Sequence, residues 1–86
     1  MAYQVIVSKK VEKEITKLPN KLIKSIGEVI DQLAVNPRPN GSKKLKATDE
    51  NLWRVRVGDY RVIYSIEDVL KIIEIKRVRH RSEVYL

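Results

Sequence analysis

Apolar residues along this chain first alternate and then recur at helical spacing. In Tyr3 to Ser8, Val5 and Val7 share one side and Ile6 the other, which predicts a short opening strand. Val11, Ile15 and Leu18 then fall at i, i+4 and i+7, a single helical stripe, and Ser8 stands where its hydroxyl caps the first turn. Pro19-Asn20 is read as the stop of that helix. A second stripe, Leu22, Ile26, Val29, Ile30 and Leu33, ends before Pro37. Gly27 interrupts it at a cost of roughly 1 kcal/mol relative to alanine; it marks either close packing or nothing special. Two helices with apolar stripes need a sheet to cover them.

Asn36-Pro37-Arg38-Pro39-Asn40-Gly41 is a loop, because two prolines and a glycine prevent regular structure, and it is too short to link domains. Beyond it the period changes to two. Leu52 to Val57 and Tyr60 to Ile66 read as strands joined by a two-residue turn at Gly58-Asp59. A third strand is expected from Val69 to Val78, after a tight turn at Glu67-Asp68. The order strand, helix, helix, strand, strand, strand predicts a single α+β domain over residues 1–86. Its helical hairpin packs on one face of a small antiparallel sheet.

Hairpin pairing turns the pattern into a candidate site. With Gly58-Asp59 as the whole loop, Arg56 faces Arg61 and Arg54 faces Ile63 on one side, while Trp53, Val55, Val57, Tyr60, Val62 and Tyr64 share the other. Three arginines converge on the face away from the helices. Like charges directly opposite destabilise a hairpin, so the placement asks for a cause. One cause is a structural ion pair, since a tight turn at Glu67-Asp68 sets Glu74 beside Arg61. The other is a phosphate site, in which several guanidinium forks hold a backbone and stabilise transition-state charge. The two are compatible.

Charge supports an anionic partner. Eighteen Lys and Arg against eleven Asp and Glu leave a net +7 on 86 residues, which favours nucleic acid, an anionic surface or an acidic protein. Six of the seven arginines lie from residue 54 onward, and arginine suits phosphate where lysine often serves solubility alone. A chain this short buries only about 60–65% of the surface its unfolded form exposes, so an active site is expected on an open face. No cysteine, one histidine and no glycine-rich phosphate loop argue against disulfides, thiolate or multi-histidine metal sites and nucleotide cradles; no cofactor or metal is expected. No apolar run approaches the roughly 18 residues of a membrane span, and the first residues lack a signal pattern, so a cytosolic protein is expected.

The end of the chain adds Lys76-Arg77-Val78-Arg79-His80-Arg81, four permanent cations and the only imidazole in six residues. Such a run is commonly a solvated end, but this one continues a strand of the arginine sheet and can fold over that face. Tyr85 either packs or offers a phenol to a ligand, and Trp53 is read as core. Lys44 and Lys46, before the first of the three strands, complete the set of candidate phosphate contacts: Lys44, Lys46, Arg54, Arg56, Lys76, Arg77 and His80.

The stretch Leu52-Trp53-Arg54-Val55-Arg56-Val57-Gly58-Asp59-Tyr60-Arg61-Val62-Ile63-Tyr64, with Arg79-His80-Arg81-Ser82-Glu83-Val84-Tyr85, resembles the RelE/ParE superfamily of bacterial and archaeal toxins, its ending the RelE branch in particular. The resemblance covers essentially the whole chain. It implies a type II toxin that cleaves mRNA in the ribosomal A site without a metal, the ribose 2′-hydroxyl attacking the adjacent phosphate to leave a cyclic phosphate and a 5′-hydroxyl. By motif, Arg61 matches the arginine at the transition-state phosphate, Arg79 one at the leaving group or phosphate, and Tyr85 the tyrosine that stacks on the base or moves protons. Arg81 joins them as a catalytic candidate. Arg54 and Arg56 stand where relatives carry basic residues, often lysines, one assigned as base. A guanidinium stays protonated, which leaves His80 or Tyr85 as base, or a mechanism of positioning and charge. Many relatives continue past the tyrosine into a last helix, which implies a Tyr85 that orders on the ribosome. The implied partners are an acidic antitoxin, the ribosome and its mRNA, with DNA reached only through the antitoxin. A ParE-like inhibitor of DNA gyrase and an RNA-binding module without catalysis are the competing functions.

Overall fold

The computed structural model of the chain describes residues 2–45 and 51–83. Its elements are β1 (Gln4–Val7), α1 (Lys9–Thr16), α2 (Asn20–Val35), β2 (Lys43–Lys44), β3 (Leu52–Val57), β4 (Tyr60–Glu67), β5 (Ile72–His80) and a 3₁₀ turn, Arg81–Glu83. Ser8 caps α1 as expected, its hydroxyl accepting from the Val11 amide at 3.3 Å. Asn20 opens α2 rather than closing α1, and the Pro19 carbonyl accepts from the amides of Leu22 and Ile23. No described helix is long and apolar enough to cross a membrane.

The strands form one five-stranded sheet in the order β1-β5-β4-β3-β2. The α+β class and the helical layer match the sequence reading, but the sheet is mixed: β1 runs parallel to β5, while the other neighbours are antiparallel. Local pattern gives no direction for β1, because most of the chain separates it from its partner. The edge strand β2 is too short for an alternation to show.

Val11 of α1 and Ile26 and Leu33 of α2 bury against Val55, Val62, Tyr64, Ile73, Ile75 and Val78 of the sheet, with Trp53 and Tyr60 packed around them. The Tyr64 hydroxyl donates to the Pro37 carbonyl at 2.7 Å, tying the proline loop to the core. Gly27 has nothing within 4 Å of where a β-carbon would stand, so close packing is not its reason.

The β4–β5 connection departs most from expectation. Asp68 to Lys71 form the turn, Lys71 takes a left-handed φ of 58°, and β5 begins at Ile72 rather than Val69. Val69 and Leu70 look like strand residues by type, yet both are largely exposed. A β-bulge follows at Lys76: Tyr64 pairs with Ile75 and Ile63 with Arg77, leaving Lys76 without an opposite residue. One extra residue reverses which side each later residue of β5 faces. Ile73 and Ile75 point to the core before the bulge and Val78 after it, so Arg77 and Arg79 fall on the side of Arg61.

Candidate functional site

Three arginines stand side by side across three neighbouring strands. Gly58 holds a left-handed φ of 60° in the turn, a conformation glycine adopts without a steric penalty. The hairpin then pairs Val57 with Tyr60, Arg56 with Arg61 and Arg54 with Ile63, as the sequence predicts. From the other side β5 sets Arg79 opposite Arg61 and Arg77 opposite Ile63. Arg61 stands between Arg56 and Arg79 in the register and is 6% exposed, so water screens it poorly.

The row opens onto a cleft of about 320 Å³ lined by Arg56, Gly58, Asp59, Tyr60, Arg61, Arg81 and Ser82. Arg81 reaches it because its amide donates to the Asp59 carbonyl at 2.8 Å, fastening the 3₁₀ turn to the hairpin tip. Residues 81–83 thus continue alongside the hairpin tip, and Arg81 lines the cleft. Arg56 and Arg81 are exposed and Arg61 is recessed, an arrangement that offers an anion guanidinium donors from several elements.

Arg79 is held elsewhere. Its Nη1 meets Glu14 Oε1 at 2.8 Å and lies 3.4 Å from the Val78 carbonyl. Glu14 comes from α1, which packs against β5. The carboxylate expected beside Arg61 is not there: Glu74 pairs across from Ser65 and forms an ion pair with Lys76 at 3.3 Å. The four-residue turn and the bulge move the partner of Arg61 five positions along β5, from Glu74 to Arg79.

The remaining candidates divide between the faces. Arg54 is half-buried and Arg77 exposed, both on the arginine side. Lys44 pairs with Trp53, on the helix side, whereas Lys43 pairs with Arg54; the structure therefore replaces Lys44 by Lys43 among the cations of this face. Lys76 stands at the bulge with Glu74. His80 falls on the side of Tyr60, ring centroids 5.2 Å apart and nearly perpendicular, not among the arginines. Its Nδ1 accepts from the Ser82 amide at 3.3 Å and lies 2.9 Å from the Ser82 hydroxyl, so the ring shapes the turn that carries Arg81. Lys46 and Tyr85 lie outside the described residues.

Two groups were missed by the sequence reading. Glu14 stands one turn from the buried Val11, at the margin of the α1 stripe, a signal that pattern alone offered. Arg38 forks onto Asp68 at 2.9 and 3.3 Å while the Tyr3 hydroxyl donates to the same carboxylate at 2.7 Å. The Arg38 hydrogen bond, then that of Tyr3, hold the Asp68 carboxyl below its usual range. Arg38 also lies 5.2 Å from the Trp53 ring centroid, so this cation is employed in the scaffold.

Comparison with known proteins finds toxins of similar sequence and fold. A family model described as the ParE toxin of type II toxin–antitoxin system, parDE, matches residues 5–85. The putative toxin RelE1 of Methanocaldococcus jannaschii is 35% identical over 88 aligned residues, covering 99% of this chain and 97% of that protein. Toxin RelE of Mycobacterium tuberculosis is 34% identical, covering 96% and 86%. Among solved structures, the archaeal RelE–RelB complex of Pyrococcus horikoshii superposes with a TM-score of 0.85 at 35% identity, over 98% of this chain and 100% of that one.

Proposed function

The chain belongs to the RelE/ParE superfamily of type II toxins, in its RelE-like branch, and from that premise we propose that it is a ribosome-dependent endoribonuclease cutting mRNA in the A site. The observation that carries this reading is the cleft at the hairpin tip, where Arg56, Arg61 and Arg81 meet around a space of about 320 Å³.

In the proposed reaction the ribose 2′-oxygen attacks the adjacent phosphorus and the bond to the 5′-oxygen breaks, leaving a 2′,3′-cyclic phosphate and a 5′-hydroxyl. Negative charge grows on the non-bridging oxygens as the phosphorus becomes five-coordinate. Arg61, fixed between two strands, supplies donors whose position needs little reorganisation, and the exposed Arg56 and Arg81 close on the same group. Guanidinium groups stay protonated, so these residues act by charge and placement rather than by accepting the 2′-proton. Proton movement is assigned to Tyr85, following the family motif. The orientation of His80 toward Tyr60 and Ser82 favours a structural role for the imidazole.

The partner we assign is an acidic antitoxin, supported by the RelB-bound state of the Pyrococcus relative and by the net charge of +7. Promoter DNA is reached through that antitoxin. The ParE description of the matching family model favours one second reading, a gyrase inhibitor without nuclease activity. Purified protein added to translating ribosomes and, separately, to a gyrase supercoiling reaction distinguishes the two. Messages cut at A-site codons with supercoiling unimpaired are expected; intact messages with blocked supercoiling would reverse the assignment.

A further inference from the structure

An ionic contact reaches the arginine row from outside the sheet. Glu14 Oε1 accepts from Arg79 Nη1 at 2.8 Å, while Glu14 Oε2 is buried and has no hydrogen-bond partner among the described residues. Both side chains are about three-quarters covered, with 27% of Arg79 and 22% of Glu14 exposed. An arginine fork and a carboxylate commonly join through two parallel bonds, which would satisfy both oxygens. Here a single oxygen is used, and the second is buried with no compensating bond among the described residues. The contact holds Arg79 through one oxygen of Glu14 and leaves the other oxygen of Glu14 without a described partner.

The place of Arg79 gives this contact a consequence. Its backbone lies directly across from Arg61, whose side chain lines the cleft, but Arg79 itself is not among the cleft-lining residues. Beyond Ile75, β5 has no β1 residue beside it, so the α1 carboxylate meets the guanidinium next to the uncovered part of the strand. A long side chain at this position reaches either anion by rotation about its own bonds, with the strand unmoved.

We infer that Glu14 is an internal competitor for Arg79: its carboxylate keeps that guanidinium off the cleft until an RNA phosphate displaces it. The inference rests on the cleft being a phosphate site for RNA. It makes Glu14 a positioning residue that lowers RNA affinity in the free protein, so removal of its charge strengthens binding through Arg79 and no other group.

The test is a double-mutant cycle with a short single-stranded RNA carrying 2′-O-methyl groups, which cannot be cleaved. Glu14→Gln is expected to bind about three- to tenfold more tightly than wild type, the range for releasing one partly covered ion pair. The plot of log affinity against log salt should steepen by about 0.7, the increment for one added phosphate contact on a single strand. In an Arg79→Ala background the same substitution should change affinity only by the small effect of net charge, without steepening. Equal gains in both backgrounds, or no gain in the first, overturn the inference. Should Glu14→Gln melt below the assay temperature, Glu14→Ala is read by the same criteria. Cleavage of ribosomal message is scored separately. A wild-type chain that leaves messages intact while the cycle shows its gain refutes the nuclease reading and upholds this one; cleavage without the gain does the opposite.

Discussion

Arg61 has 6% of its surface exposed and stands between arginines on both neighbouring strands. In Arg61→Met, message cleavage should fall at least about a hundredfold, while denaturant midpoints show a variant that still unfolds cooperatively. Lower stability together with retained cleavage would mean that the residue serves the fold. Tyr64 is the contrasting case, a buried polar group serving structure. Burial pushes its phenol above the ordinary value of 10, against smaller opposing effects of Ser42 and Arg38. A phenol raised in the folded state supports folding below pH 10, and that support is lost as pH climbs through the folded value. Tyr64→Phe should remove this alkaline sensitivity from the pH–stability curve and cost about 1 kcal/mol at neutral pH through the lost bond to Pro37; an unchanged alkaline limb would contradict it.

At the scale of elements, the site depends on one turn and one bulge. The β3–β4 hairpin was legible because Gly58-Asp59 is a turn signal that fixes register by itself, and the Arg56–Arg61 pairing followed directly. The β4–β5 register was not. Val69 and Leu70 carry strand chemistry in a turn, and nothing local marks Lys76 as the extra residue of a bulge. A shift of five residues exchanged Glu74 for Arg79 beside Arg61, turning an expected ion pair into a longer row of like charges. Lys43 and Lys44 show the same limit at small scale, since one position decides the face and two residues carry no readable alternation. In α2 the pattern identified the helix but left Gly27 ambiguous. Open space around its missing β-carbon resolves that point. Gly27→Ala should stabilise the protein by about 0.5–1 kcal/mol without touching activity, as the lower entropy of the unfolded chain predicts. A drop in melting temperature would show a constraint on α2 that the geometry lacks.

Over the whole molecule, charge and scaffold are separated. Helices and apolar sheet residues hold one side together, and the arginines of β3, β4 and β5 collect on the other, joined by Arg81 from the end of the chain. Composition could announce an anionic partner but not which cations serve it, because Arg38 carries the same charge and is spent on Asp68 and Trp53. The central claim is that the arginine cleft lowers the barrier to breaking the RNA backbone rather than merely attracting RNA. The most direct test is the single-turnover rate at which ribosome-bound message is cut, compared between wild type and Arg61→Ala at saturating protein. The account predicts a rate lower by about a hundredfold or more, with the variant still folded and still bound to ribosomes. Cutting at the wild-type rate by Arg61→Ala would contradict it.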